Sequence, residues 1–209
     1  MTAHAHGHDH PRRQDVEDQP FTYHMALTEA VADLLLAKGV CTADELRRAL
    51  ETTTSHSHAD GARLVARAWV DQAYRERLLC DVNAAAVELG VDAGGIPIRA
   101  VANQPGVHNV IVCTLCSCYP RLLLGPSPDW YKSRAYRSRV VREPRAVLGE
   151  FGLELPADTD VVVHDSTAEL RYMVVPDRPA GTEGWSEERL VAIVTRDCLI
   201  GTAVPGTGA

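Results

Sequence analysis

The chain has 209 residues, 45% of them apolar and 5% aromatic, with 15 Gly and 12 Pro and a formal charge of −7. That composition supports a core with many loops, and the acidic balance argues against sequence-independent binding to nucleic acid, which needs a basic face to displace counterions. No apolar run approaches the roughly 18–20 residues of a membrane span, and the N-terminus carries no apolar stretch of the secretory kind, so a cytoplasmic protein is expected.

Residues 1–20 lack apolar periodicity and hold His4, His6, His8 and His10 in alternation. They are expected to form a disordered tail, either purely solvated or a weak metal binder. From Met25 the text turns helical, with Leu27, Val31, Leu34 and Leu35 on one face and Gly39 as terminator. Thr42 and Glu45 have capping-box spacing for a second helix. A long helical section is expected from Ala62 to about Leu89, bent near Asp71 and closed by Gly90. The stretches IPIRAVAN and VHNVIVC then read as strands. Beyond them, a helix is expected from Asp129 through the basic segment Lys132–Arg145, with a break at Pro144. That segment is a solvated face in its plain reading, or a site for phosphate or an acidic partner. VVVHD and ELRYMVVP read as two more strands joined tightly, SEERLVAIVT as a short helix, and TRDCLIG as a turn or strand. The expected class is α+β, with a tail over 1–20, a helical arm over 21–90 and a metal-binding core over 91–209.

Three of the six cysteines fall within six residues, Val-Cys-Thr-Leu-Cys-Ser-Cys-Tyr at 112–119, directly after a strand. Cys113 and Cys116 have the spacing that brings two sulfurs onto one ion. Closing Cys118 onto the same ion wraps the chain tightly and drives the amides of Ser117 and Cys118 toward the metal. Thiolates with amides suit a small trivalent ion better than zinc, which prefers a relaxed tetrahedron. A zinc knuckle needs a fourth ligand, and Cys41, Cys80 and Cys198 stand alone, leaving His108 or the tail histidines as the alternatives.

The segment VCTLCSC resembles the metal claw of cobalt-type nitrile hydratase alpha subunits. Thr114 stands where iron-type enzymes usually carry Ser. The likeness extends to GARLVARAWVDQAYRERLL, VHNVIVC, PDWYKSRAYRSRVVREPRAVLGEFGLELP and RPAGTEGWSEERL. It implies the alpha-subunit fold, with the helical arm packed on a layered α/β core. It also implies one low-spin Co(III) per chain, held by Cys113, Cys116, Cys118 and the amides of Ser117 and Cys118. Cys116 would become a sulfinate and Cys118 a sulfenate, Cys113 would remain a thiolate, and Cys116, Ser117 and Cys118 would take part in catalysis. The reaction implied is hydration of a nitrile to an amide, by a metal-activated nucleophile or by the Cys118 sulfenate oxygen. HDSTAELRY resembles a family stretch that supports the site, which implies that Asp165, Glu169 and Arg171 orient the claw. Strand alternation would put Glu169 and Arg171 on one face, as a buried ion pair requires; the plain reading is a surface strand pair with ordinary charges. Partner beta-type subunits would supply arginines and a tyrosine, and an activator protein would deliver cobalt. Arg121 replaces a common Trp. That change, with the His-rich start and the ending TRDCLIGTAVP, is similar to the gamma subunit of thiocyanate hydrolase and to three-subunit nitrile hydratases acting on nucleoside nitriles such as toyocamycin. Arg121 is thus a substrate-pocket candidate or a structural ion-pair partner.

Overall fold

The computed structural model describes residues 22–207, side chains 52–54 excepted. The His-rich tail lies outside the described residues. The chain divides into two compact units, one ending at Thr52 and the other beginning at Thr53. The first holds α1 (Tyr23–Ala37) and most of α2 (Ala43–Ser55). Thr42 and Glu45 form the expected reciprocal cap, Glu45 N donating to Thr42 Oγ1 and Thr42 N to Glu45 Oε2.

The second unit begins earlier than the expected boundary at residue 90, because the next helices carry core side chains. They are α3 (Ala59–Val70), α4 (Gln72–Cys80) and α5 (Val82–Glu88). Leu64, Val65, Tyr74, Leu78 and Val82 are fully buried. The single bend expected near Asp71 is two breaks. Asp71 and Asp81 both leave helical geometry, and their carboxylates accept the amides of Tyr74 and Ala84. An Asp that takes an orphan amide starts a new helix more readily than it continues an old one.

Four strands follow as two parallel pairs. β1 (Ile98–Ala102) pairs with β4 (Arg171–Val175), and β2 (Val107–Val112) with β3 (Asp160–Asp165). The expected tight link between β3 and β4 is present, but the two strands do not pair with each other; each joins an earlier strand. β2 is buried from His108 to Val112; Val110–Val112 are apolar, and buried His108 and Asn109 have hydrogen-bond partners. Between β2 and β3 lie α6 (Arg121–Leu124), α7 (Asp129–Lys132), α8 (Arg134–Arg139) and α9 (Pro144–Glu150). The single helix expected from Asp129 is split at Ser133, whose hydroxyl caps α8. Pro144 is not a break but the first residue of α9, where its missing N–H costs nothing. α10 (Glu187–Val191) and α11 (Arg196–Ile200) complete the fold, α11 being a helix where a turn or strand was expected. Among the described residues no helix is long and apolar enough to cross a membrane.

Two close approaches lock the C-terminal part of the fold. Gly61 on α3 admits Leu199 of α11 and the Leu123 carbonyl of α6, each about where a Cβ would collide. Gly201 caps α11 at φ 92°, and a Cβ there would lie 2.1 Å from the Asn109 carbonyl oxygen. The Gly201 carbonyl accepts from Nε2 of buried His108, whose Nδ1 accepts from Asn103. The Asn103 carboxamide oxygen in turn accepts the Asn109 amide, and His164 bonds the Asn109 side chain.

Gly201→Ala should therefore destabilise the protein by about 3 kcal/mol or more, combining left-handed strain with a backbone overlap; urea unfolding measures this, and a loss under about 1 kcal/mol would contradict the packing. Burial, foremost, lowers the pKa of both His108 and His164 from 6.5. A depressed folded pKa contributes stability that is complete above the unfolded value and is lost as pH falls past it. Unfolding free energy should thus decline from about pH 7 to about pH 5, and His108→Gln should flatten that slope in the same urea titration.

Candidate metal centre

The cysteine loop begins where β2 ends, and its position is set by the strand beside it. The β2–β3 register pairs Val112 with Asp165. The Asp165 carboxylate therefore reaches the loop, accepting the Thr114 amide at 2.9 Å and the Thr114 hydroxyl at 2.5 Å. Val112 O accepts the Ser166 amide at 2.7 Å. Arg137 from α8 donates to Thr114 O at 3.3 Å. Two phenols secure the ends, Tyr136 donating to Ile111 O at 2.7 Å and Tyr131 to Cys118 O at 3.0 Å. Both phenols belong to an aromatic group with Trp130 and Phe151. Thus the loop's backbone is held from β3, α7 and α8, while Leu115 at its tip is 85% exposed.

Within that frame the three sulfurs converge. Cys113 Sγ lies 3.4 Å from Cys116 Sγ, which lies 3.2 Å from Cys118 Sγ, and the Cys116 amide donates to Cys113 Sγ. All three sulfurs fall within 4.8 Å of one another, and among the described residues no other His, Cys, Asp or Glu group has this arrangement. The spacing bears on the ion. At a metal–sulfur distance of about 2.3 Å, tetrahedral ligands stand about 3.8 Å apart and ligands at right angles about 3.3 Å apart. The two short separations fit ligands at right angles, as in an octahedral site, better than a zinc tetrahedron. The thiols differ in accessibility: Cys113 is buried, Cys118 half-buried and Cys116 exposed. Hydrogen bonds from Cys118, then Cys113, pull Cys116 down to about 7, whereas burial, then the Cys116 thiol, pushes Cys118 up to about 12.

His108 is no fourth ligand, because Asn103 and the Gly201 carbonyl occupy both its ring nitrogens. Cys198 is buried beside Thr195. None of the six cysteines is in a disulfide.

Cys116, Ser117 and Cys118 line an open hollow of about 340 Å³, with Tyr119, Arg121, Pro126, Ser127, Lys132 and Arg171 completing it. Every charged residue of the lining is a cation. Arg121 opens α6 at the rim and is exposed. Arg171 opens β4, its charge acts on Cys118, and its buried NH1 has no partner among the described residues. The expected ion pair between Glu169 and Arg171 is not formed here. Glu169 precedes the strand rather than alternating within it, and lies exposed, bonded to Thr167. Most of the basic segment is engaged internally: Arg139 pairs with Glu143 and Glu150, and Arg145 donates to carbonyls of Leu155, Pro156 and Thr159. Tyr131, Tyr136 and Arg137 reach the loop although their spacing from the cysteines carries no sign of it; in sequence Arg137 and Lys132 stand out only as members of the basic segment, and Lys132 lines the hollow.

Comparison with known proteins agrees with this geometry. The family model for the nitrile hydratase alpha chain matches residues 22–203. The chain is 46% identical over 184 residues to the alpha subunit of the low-molecular weight cobalt-containing nitrile hydratase of Rhodococcus rhodochrous, covering 87% of this chain and 89% of that one. It is 45% identical over 194 residues to the gamma subunit of thiocyanate hydrolase from Thiobacillus thioparus, covering 87% and 80%. Among solved structures, a recombinant thiocyanate hydrolase with partially modified cobalt centres superposes with a TM-score of 0.84 at 43% identity, over 90% of this chain and 92% of that one. A double mutant of the Fe-type nitrile hydratase of Comamonas testosteroni gives 0.80 at 40% identity, over 87% and 90%. The cysteine loop, the fold that carries it and these matches together make this chain a member of the nitrile hydratase alpha-chain family.

Proposed function

We propose that this chain is the metal-bearing alpha subunit of a cobalt nitrile hydratase, and that the assembly converts a nitrile and one water into an amide. The observation that carries this reading is the convergence of Cys113, Cys116 and Cys118 at right-angle spacing over an open hollow. Cobalt is favoured by Thr114 in the loop and by the cobalt-containing relatives. A trivalent cobalt ion would supply Lewis acidity in this hollow. The three sulfurs and the amides of Ser117 and Cys118 would hold it.

The exposure of the sulfurs supports the expected modifications. Oxidation follows thiolate character and access. Buried Cys113 is shielded by its surroundings and would stay a thiolate. Cys116 is open and would reach the sulfinate, and half-buried Cys118 the sulfenate. Asp165, Arg137 and Tyr131 keep the loop from unwinding, so ligands remain oriented as charge changes at the site. Arg171 would meet new negative charge on Cys118 with a donor that lacks a partner in the thiol form. Glu169, exposed beside it, would serve an arginine of a neighbouring subunit. The open front of the hollow is where we place beta-type subunits, with an activator delivering cobalt and a reducing cytoplasm keeping the other thiols free. Within nitriles, the donors of Arg121, Ser127 and Lys132 favour a polar substrate such as the nucleoside nitrile toyocamycin.

A second reading rests on one observation. With Arg121, Lys132 and Arg171 as the charged lining, the hollow also suits a small anion, and thiocyanate is the substrate named for one relative.

The purified native assembly should contain close to one cobalt per chain that resists chelation, and intact mass should show three added oxygens, two on Cys116 and one on Cys118. Zinc released by chelator, with no added oxygen, would remove the proposal. Assay against nitriles and thiocyanate together then separates the two substrates. Arg121→Ala should lower kcat/KM for thiocyanate, or for a polar nucleoside nitrile, about tenfold while leaving a small apolar nitrile within about twofold, the loss expected for one polar contact; equal losses on the apolar nitrile would assign Arg121 a structural role.

A further inference from the structure

The polar groups beneath β2 form one directed chain, and backbone atoms along it fix the direction. His164 Nε2 donates to Asn109 Oδ1 at 2.8 Å, while Asn109 Nδ2 donates to Ala102 O at 2.8 Å and Asn103 Oδ1 at 3.1 Å. Asn103 Nδ2 donates to His108 Nδ1 at 3.2 Å, and His108 Nε2 donates to Gly201 O at 2.7 Å. The carbonyls of Ala102 and Gly201 can only accept. The Asn109 amide, 2.8 Å from Asn103 Oδ1, can only donate. His108 therefore satisfies the chain in one form, the neutral ring with its proton on Nε2. Asn103, His108 and Asn109 are 4%, 3% and 5% exposed, so bulk water does not stand in for a lost partner.

A second proton on this ring has no place. On Nδ1 it would meet the Asn103 amino group, donor against donor. Turning the Asn103 carboxamide over only moves the conflict to the Asn109 amide. His164 differs, because its Nε2 already donates and a proton on Nδ1 leaves the bond to Asn109 intact. We propose that His108 is an acid-operated latch: protonation expels its ring from between Asn103 and Gly201 and releases the turn over 104–107 together with the segment over 201–205. The two segments meet at a hollow of about 340 Å³, which Val107, His108, Val204 and Pro205 help to line and which gives the proton a route in. Burial, foremost, lowers the pKa of the seated ring, against the opposing effects of the Gly201 bond and Asp177. The expelled ring regains its ordinary affinity for a proton, so acid favours the open form. The surrounding charges do not hold a charged ring in place. Asp177 is exposed, and Arg178 turns its guanidinium to Trp69 O and Thr182. Asp160 opens β3 and is exposed, Arg171 opens β4 and acts on Cys118, and Arg196 and Asp197 of α11 stand 3.9 Å from each other. The latch lies at the start of β2, whose other end runs into Cys113, so acid loosens the base of the strand that carries the cysteine loop.

This inference goes beyond the proposed activity and does not rest on it. Hydrogen–deuterium exchange of the full-length protein, with whatever subunits copurify, reads the latch over peptides spanning 103–110 and 200–205. After correction for intrinsic exchange, protection there should fall roughly twenty-fold from pH 7 to pH 5, the linkage of one proton to a ring of ordinary pKa 6.5. His108→Gln offers a donor and an acceptor but takes no proton, and should remove that fall. Asn103→Asp should remove it by the opposite route. Its carboxylate accepts the proton on Nδ1 and still accepts the Asn109 amide, so the charged ring stays seated. A ring that merely packs would instead lose protection in Asn103→Asp at both pH values. Protection independent of pH in the unaltered protein, or an Asn103→Asp protein that still opens in acid, overturns the latch. So does a fall that persists in His108→Gln and disappears in His164→Gln. Should His108→Gln fail to fold, Asn103→Asp still decides.

Discussion

The site depends on one register. Because β2 and β3 pair in parallel with Val112 beside Asp165, a carboxylate at the end of one strand stands next to the loop that leaves the other. Asp165 takes both the amide and the hydroxyl of Thr114, so the first residue inside the cysteine loop has no freedom to swing. A slip of one residue would turn this side chain to the other face. The polar ties beneath β2, from His108 to Gly201 and from Asn109 to Asn103 and His164, make such a slip costly, since each would leave a buried group unpaired.

From that fixed start the remaining ties act in sequence along the loop. Arg137 takes the Thr114 carbonyl and Tyr131 the Cys118 carbonyl, so the peptide is held on both sides of Cys116. The sulfurs have little choice but to converge, and the short separations among them follow from backbone anchoring rather than from contacts between the thiols. Packing further away serves the same end. Gly61 lets the Leu123 backbone approach α3 closely, which seats α6, and with it Arg121, at the rim of the hollow.

How much of this the sequence discloses differs by scale. The strands, the capping box at Thr42 and the helical stretches are visible because each rests on local spacing, and the cysteine loop is visible because three sulfurs within six residues leave few chemical options. The double break at Asp71 and Asp81 is less visible, as an aspartate within a helical pattern also suits a solvated helix face. The pairing of β3 with β2 and of β4 with β1 is hidden, because a short link between two strands ordinarily signals a hairpin. The ties from Tyr131, Tyr136 and Arg137 are hidden for a related reason. They join residues 13 to 25 positions apart across elements, and only the folded course of α7 and α8 aims them at the loop. Glu169 shows the converse error, an alternation pattern extended one turn beyond the strand that would have enforced it.

The distribution of these supports has a chemical meaning. Every group that holds the loop approaches from behind or beside it, on β3, α7 and α8, while the face bearing Cys116 and Leu115 is left to solvent. An apolar tip at 85% exposure and a reactive sulfur beside it are poor features for a surface meant to remain bare. The chain is acidic as a whole, yet the charged side chains around this opening are all cations. Rigid backing fixes the sulfurs, so discrimination among substrates cannot come from moving them. On the proposed reading it would come from what surrounds the opening, which in this chain is Arg121, Ser127 and Lys132 and, in an assembly, the surface that closes over them. The division of labour that the proposal implies is simple: this fold sets where the sulfurs stand, and the rim would set which molecule reaches them.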